Sequence, residues 1–216
     1  MLVRLGSRVY YRAVASGVFH CERCGGDRPY RHRSGRRWVH LLGLPLVPLD
    51  RTGEHLRCAI CRTCYRVELL AVPTAEHMQV ALLSATTAAT LAMLNAGSAS
   101  QASRRRAIEL IISAGSPQYG EPDLDIALGH GVQSAEAELS CVPVPGLRRA
   151  METLAIQLET YSKEWFLAKV VQVGLADGLL STAERDVVGT VARYMGLSQA
   201  RADDVIQVAE EAAQAG

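Results

Sequence analysis

The residues with the most distinctive chemistry are six cysteines, five of which lie between Cys21 and Cys64. They form the pair Cys21-x-x-Cys24 and, after 33 intervening residues, the run Cys58-x-x-Cys61-x-x-Cys64. A C-x-x-C turn brings two thiolates to one side of a tight loop. Two such turns can form the closed, tetrahedral four-sulfur site that is typical of structural Zn²⁺. We therefore predict one structural zinc ion in the N-terminal part of the chain.

The second cysteine run allows two ligand pairs, Cys58 with Cys61 or Cys61 with Cys64. We favour the first pair, because residues 55–57 have the pattern of a strand leading into Cys58. Residues 65–69 alternate like a second strand, which leaves Cys64 at the exit of the ribbon. The predicted zinc ligands are Cys21, Cys24, Cys58 and Cys61, with Cys64 as an alternative ligand.

Other interpretations of these residues fit the sequence less well. Disulfide bonds would suit a secreted protein, but the start of the chain lacks the continuous apolar segment of a signal peptide. His20 is expected to be a strand residue rather than a ligand, and Cys141 a small buried hydrophobe. Gly25, directly after the first pair, can adopt the positive φ that such a turn often needs.

Charge divides the chain at the place where the cysteines end. Residues 1–70 contain 13 Arg and 5 acids, a balance of +8, whereas residues 71–216 have a balance of −7. Two modules of opposite charge follow from this division. We predict a zinc ribbon with a basic N-terminal extension over 1–72 and an all-helical domain over 73–216.

The two modules differ in the periodicity of their apolar residues. Trp38 opens an apolar strand between the cysteine pairs, and Pro45 and Pro48 are expected to end its regular pairing. A ribbon of three or so strands has little apolar area, so zinc binding, on the order of 10 kcal/mol, would supply its stability.

After Pro73 the period becomes helical and predicts seven helices, the first capped by Thr74 and the last by Ser198. Their apolar faces, which contain Met151, Val170 and Val191, are expected to form the core together with Trp165 and Phe166. The expected fold class is mostly α, a seven-helix bundle with a small N-terminal β ribbon.

Two segments resemble a known family. The order CxxCG, the strand opened by Trp38, the LPLVPL segment 44–49 and a second CxxC is similar to zinc-ribbon modules fused in front of bacterial TerB-like domains. The helix that begins at Trp165, ends in Ala-Asp-Gly at 176–178 and is followed by Ser-x-x-Glu resembles the TerB family of tellurite-resistance proteins. That resemblance implies a seven-helix TerB-like bundle without known catalytic activity. It also implies a link to metal or oxyanion stress and partners at the cytosolic face of the membrane.

The TerB resemblance also marks Asp177 and Glu184 as candidate ligands of a second cation, Ca²⁺ or Mg²⁺. Carboxylates at the end of one helix and the start of the next can converge across the turn at Gly178. Ser181 and Glu184 also fit a capping box, in which the two residues satisfy backbone amides at a helix start. Both interpretations remain open at the level of the sequence.

The sequence favours a function without catalysis. It contains no Gly-rich phosphate loop, no GxSxG elbow and no HExxH motif. Four thiolates would close the coordination sphere of a zinc ion and leave no position for an activated water. We therefore expect a non-enzymatic, zinc-binding stress or adaptor protein with protein partners and without a small-molecule substrate, located in the cytoplasm.

The alternative function is a nucleic-acid-binding zinc ribbon. It rests on the +8 balance of the ribbon and on a group of arginines near two aromatic residues, which could follow a phosphate backbone electrostatically. These residues are Arg31, Arg33, Arg36 and Arg37, with Tyr30 and Trp38. The acidic module would repel the same backbone. We therefore expect the basic ribbon to attract the acidic module or a membrane-associated partner rather than duplex DNA.

Overall fold

The computed structural model describes residues 5–41, 44–134 and 146–214. Its contacts divide the chain into Met1–His77, called here the ribbon unit, and Met78–Gly216, called the helical unit. Within the described residues, helices account for 56% and an antiparallel sheet for 24%. The fold is therefore mixed α/β, and the predicted mostly-α class is wrong because the N-terminal strands are much longer than expected.

The ribbon unit contains one antiparallel sheet of four strands in the order β1-β2-β3-β4. The first three strands have 17, 16 and 15 residues, whereas the fourth has 2. Their bounds are β1 Leu5–Cys21, β2 Gly26–Leu41, β3 Leu44–Cys58 and β4 Cys64–Tyr65. Because β1 and β3 both run antiparallel to β2, they point in the same direction and terminate at the same end of the sheet.

The strand expectations for the ribbon need two corrections. Pro45 and Pro48 do not end the strand but lie opposite His40 and Trp38, with register shifts beside them. Proline is tolerated there because, among the described residues, β4 pairs with β3 only at the other end, so this part of β3 is a sheet edge. Of the predicted strand over 65–69 only Tyr65 lies in a strand, β4, because a 3₁₀ turn follows at Val67–Ala71.

Most of the ribbon unit is exposed, and its apolar core is small. The fully buried members of the core are two apolar side chains and two cysteines: Phe19, Leu56, Cys21 and Cys58. The Phe19 ring packs edge-on against Tyr30 and Tyr65, with centroid distances of 5.6 and 5.5 Å. So few buried groups cannot offset the conformational entropy of three long strands.

Seven α-helices follow the sheet within the described residues. Thr74 caps the first helix by accepting a hydrogen bond from the His77 amide, and Ser198 caps the last through the Arg201 amide. Both caps confirm the helix starts predicted from the sequence. The bounds are α1 Ala75–Ala96, α2 Gln101–Ser113, α3 Glu121–Ser134, α4 Leu147–Ala155, α5 Thr160–Gly174, α6 Thr182–Tyr194 and α7 Gln199–Gln214.

The helical unit has a continuous apolar core built from the faces that the helical period identified. Met151 on α4, Val170 on α5 and Val191 on α6 are each fully buried in it. Trp165, predicted to be a core residue with Phe166, is instead 53% exposed. The two residues are neighbours on one helix and point in directions about 100° apart, so only Phe166 faces the core.

One helical stretch, Val67–Ala96, is long and apolar enough to span a bilayer, with a mean hydropathy of 1.3 in its most apolar window. Half of that window is buried inside the protein. Buried core helices of soluble proteins meet the same criteria of length and composition. The helix therefore does not assign a location, and the cytoplasmic location stays a prediction.

Candidate metal centre

The sheet topology brings the two cysteine pairs together. Cys21 is the last residue of β1 and Cys58 is the last residue of β3, and both strands terminate at the same end of the sheet. Each strand is followed by a tight turn that carries the second cysteine of its pair, Cys24 or Cys61. Four sulfur atoms consequently meet at one corner of the sheet.

The four sulfur atoms are arranged as a metal site requires. All of them lie within 4.8 Å of one another, and the four residues are Cys21, Cys24, Cys58 and Cys61. The Sγ atoms of Cys21 and Cys61 are 3.7 Å apart. In a tetrahedral site with Zn–S bonds of about 2.3 Å, two ligand sulfurs are about 3.8 Å apart. The donor set and this separation therefore fit a tetrahedral metal ion such as zinc.

The two turns share a positive φ at the residue after their second cysteine, although the residue differs. The first is closed by hydrogen bonds from the amides of Cys24 and Gly25 to the Cys21 carbonyl, at 3.0 and 2.9 Å. Gly25 has a φ of +64°, which confirms the role predicted for it. In the second turn Arg62 occupies the equivalent position with a φ of +61°. A side chain in this conformation costs about 1–2 kcal/mol, so the second turn is the more strained of the two.

Two side chains outside the cysteine pairs support the sulfur atoms. The Tyr65 hydroxyl lies 3.2 Å from the Cys21 sulfur and accepts a hydrogen bond from the Arg23 amide at 3.3 Å. The Cys61 sulfur lies 3.4 Å from the Thr63 hydroxyl. Such partners around a metal site orient its ligands and tune their basicity.

These contacts shift the acidity of the thiols in different directions. Hydrogen bonds from the Thr63 hydroxyl and amide lower the pKa of Cys61 to about 6. Burial would raise the pKa of Cys21, but hydrogen bonds from Tyr65 and the Cys24 amide outweigh it and lower that pKa. Burial, together with hydrogen bonding to Cys21, raises the pKa of Cys24 to about 11. Thiolates are the sulfur species that bind metals, so the lowered pKa values of Cys61 and Cys21 suit metal binding.

The remaining predicted candidates lie outside this cluster. Cys64 is exposed on β4 opposite Arg57, and is not among the four clustered cysteines. His20 pairs with Asp27 across the hairpin, with its Nδ1 3.4 Å from the carboxylate. Cys141 lies outside the described residues.

The two acids proposed for a second cation are both engaged by the protein. Glu184 is buried and accepts hydrogen bonds from the amide and the hydroxyl of Ser181, at 2.8 and 2.7 Å. The Ser181 hydroxyl in turn accepts from the Glu184 amide at 3.3 Å, so the capping box is present. The Asp177 carboxylate accepts a hydrogen bond from the Ser98 hydroxyl at 2.7 Å. A helix cap therefore explains the position of Glu184.

Some functional residues of the ribbon unit were missed by the sequence analysis. Thr63 and Tyr65 follow the second cysteine pair, and polar residues at such positions are a signal for hydrogen bonds to sulfur. Arg57 and Arg62 were also missed. The strand register places Arg57 opposite Arg31, one of the arginines named from the sequence. This register depends on pairing between distant segments, so no local pattern could have identified it.

No family model, curated protein or solved structure matches this chain. The geometry of the cysteine cluster and of the surfaces around it is therefore the basis for assigning a function.

Proposed function

We propose that this protein is a non-enzymatic, zinc-binding adaptor whose metal centre holds an N-terminal ribbon in its folded form. The observation that carries this proposal is the convergence of four cysteine sulfurs within 4.8 Å of one another at one end of the sheet. Four protein ligands fill a tetrahedral coordination sphere and leave no position for a substrate or an activated water. The metal would consequently act on folding and not on chemistry.

The location of the cluster supports a structural role for the metal. Cys21 and Cys58 are themselves half of the buried core of the ribbon unit, beside Phe19 and Leu56. A structural zinc ion would link the ends of β1 and β3 through both turns. Its binding free energy, on the order of 10 kcal/mol, exceeds what this small apolar core supplies.

The exposed strand β1 supports the adaptor part of the proposal. It is an edge strand of 17 residues in the sheet that the structure describes, where one side of its backbone has no strand partner and could pair with an extended segment of another protein. Val14 and Val18 are 58% and 57% exposed on it. A register shift at Val14 interrupts the edge, but exposed apolar side chains lie on both sides of it, at Tyr11 and at Val18, which suits a partner-binding strand.

The TerB resemblance supports a more specific role for the adaptor, in the response to metal or oxyanion stress. The residues that carry the resemblance are the Ala-Asp-Gly segment at 176–178 and the Ser181/Glu184 capping box. A strain that lacks the protein is expected to grow more slowly than its parent in sublethal tellurite and to be restored by the full-length chain. Equal growth of the two strains would contradict this specific role and leave the zinc centre untouched.

Metal analysis tests the zinc centre directly. Purified full-length protein is expected to contain one zinc ion per chain by elemental analysis. Cys58→Ser should lose the metal, whereas Cys64→Ser should retain it, because only Cys58 belongs to the sulfur cluster. The two variants make the same chemical change, which isolates the effect of position. Iron in place of zinc, or loss of metal from Cys64→Ser alone, would contradict the proposal.

A pair of edge-strand variants tests the adaptor role. Val14→Lys and Val18→Lys place charges on β1 and should abolish the capture of specific partners from a native lysate by tagged full-length protein. Val208→Lys, on an exposed position of α7, is the matched control. Partners that remain bound to the β1 variants but are lost from the Val208 variant would contradict the assignment of β1 as the contact strand.

A further inference from the structure

We propose that a groove lined by four arginines beside the metal centre binds the phosphate backbone of single-stranded nucleic acid. The groove has a volume of about 390 Å³. It lies between β2, the end of β3 and the second cysteine turn. Its lining residues are Arg31, Arg33, Arg57, Cys58, Ala59 and Arg62. This inference goes beyond the proposed adaptor role but rests on the zinc centre of the proposed function, which holds the second cysteine turn.

The arginines face one another without acidic partners. Arg31 and Arg57 are direct cross-strand partners, an arrangement in which like charges destabilise a sheet. Among the described residues of the ribbon unit, both ion pairs are made by histidines, His20 with Asp27 and His32 with Glu54. The groove therefore concentrates positive charge that this part of the chain does not neutralise. A bound anion would remove the repulsion.

The second cysteine turn holds the far side of the groove in place. The Arg57 Nε donates a hydrogen bond to the Arg62 carbonyl at 3.4 Å, which ties the end of β3 to the turn. Arg62 has the positive φ described above, so its Cα–Cβ bond leaves the backbone in a different direction from that of a turn residue with a negative φ. The metal centre thus sets the position of two of the four arginines.

Arginine in this arrangement favours phosphate as the ligand. The guanidinium group remains charged and can donate two parallel hydrogen bonds to one phosphate or carboxylate group. The groove volume lies within the range of about 300–1,000 Å³ that is usual for ligand sites. An anionic membrane surface is flat, whereas these arginines line a concavity, so a flexible chain of phosphates fits the shape better than a bilayer.

An aromatic side chain on the same face of the sheet supports a nucleic acid rather than another polyanion. Tyr11 is 54% exposed and pairs with Gly35, which shares the face of Arg31 and Arg33 by the alternation of β2. The Tyr11 ring contacts His55, the cross-strand partner of Arg33, with 4.9 Å between centroids. Single-strand binding sites combine such a stacking surface with a basic groove.

Fluorescence anisotropy with zinc-loaded, full-length protein and a labelled oligothymidylate of about 15 nucleotides tests the proposal. The double variant Arg31→Ala/Arg57→Ala should weaken binding by about 10-fold or more. It should also reduce the slope of log K against log salt by about 1.4, the value for two lost phosphate contacts. Tyr11→Ala should weaken binding by at least about 5-fold, whereas Tyr11→Phe should retain it.

The control variant Arg8→Ala/Arg12→Ala removes the same charge from the same unit. Arg12 pairs with Ser34, so it lies on the opposite face of the sheet from the groove. This control should weaken binding by less than about 3-fold. Zinc content, measured on every sample, verifies that each variant retains the folded ribbon.

Three results would overturn the proposal. The first is no binding of the oligothymidylate by the wild-type protein in about 50 mM salt. The second is an equal loss of affinity in the groove and control variants, which would indicate a diffuse charge effect. The third is binding of polyglutamate or phosphatidylserine vesicles through the groove arginines with an affinity equal to that for the oligonucleotide. Failure of zinc binding, by contrast, would contradict the proposed function and is measured separately.

Discussion

The Ser98 hydroxyl donates a 2.7 Å hydrogen bond to the carboxylate of Asp177, although 79 positions of sequence separate the two residues. Ser98 lies between α1 and α2, and Asp177 ends the 3₁₀ turn that follows α5. This bond lowers the pKa of Asp177 below its ordinary value of 3.8, helped by Ser100 and Ser103 and opposed by partial burial. The Ala-Asp-Gly turn is thereby attached to the start of α2.

The first prediction concerns the pH dependence of this contact. A group with a lowered folded-state pKa contributes stability that is present above its unfolded value, here 3.8, and is lost as the pH falls through the folded value. Because Asp177 is exposed, the contribution is at most about 1 kcal/mol. Ser98→Ala should therefore lower the free energy of unfolding at about pH 7, and the difference from wild type should shrink well below pH 3.8.

Urea denaturation followed by circular dichroism measures this difference at each pH. Ser113→Ala is the control, because its hydroxyl donates to the backbone carbonyl of Leu110 and to no carboxylate in the described structure. Any cost of that substitution should not change with pH in this range. A Ser98→Ala effect that is the same at both extremes of pH would show that the carboxylate does not contribute through its charge.

A second prediction follows from the close approach of Gly97 and Glu184. A Cβ atom at Gly97 would lie 2.3 Å from the Oε1 of Glu184, and this carboxylate cannot move without breaking the capping box. Gly97→Ala should therefore destabilise the protein by about 1–3 kcal/mol. Gly129→Ala, in α3 with open space around the new methyl group, should be neutral or slightly stabilising. Equal thermal melting of both variants would contradict the proposed clash.

The third prediction concerns Asp177 and Glu184, the candidate ligands of a second cation. Because Glu184 is occupied by the Ser181 amide and hydroxyl, we expect Glu184→Ala to cost about 1–2 kcal/mol through loss of the cap. Calorimetric titration of Ca²⁺ and Mg²⁺ into the zinc-loaded protein should give no binding heat. Submillimolar binding that disappears in Asp177→Asn would instead establish the cation site and reject a purely structural turn.

The fourth prediction isolates the backbone of the first cysteine turn. Gly25 has a φ of +64° and open space around its α-carbon, so Gly25→Ala changes only the conformational strain. It should destabilise the metal-loaded ribbon by about 1–2 kcal/mol. Gly26→Ala, next to it, also meets open space but has no positive φ and should have little effect. Resistance of the bound metal to a chelator, compared between the two variants, measures the effect.

Local patterns were sufficient for the parts of this protein that depend on neighbouring residues. The helical period identified the buried faces that contain Met151, Val170 and Val191, because positions 3 and 4 residues apart share a face of a helix. The Ser181/Glu184 capping box and the positive φ of Gly25 likewise follow from a few adjacent residues. In each case the chemistry of a single turn determines the conformation.

Tertiary structure determined the features that depend on pairing between distant segments. The sequence spaces Cys58 and Cys64 equally from Cys61, and only the position of the end of β3, at the same end of the sheet as the end of β1, brings Cys58 into the sulfur cluster. Because the part of β3 at Pro45 is a sheet edge, proline does not end the strand there, and β2 and β3 extend further than their local patterns predict. These long strands make the fold mixed α/β. Register alone places Arg57 opposite Arg31, because cross-strand neighbours are set by the alignment of two strands and by no property of either residue.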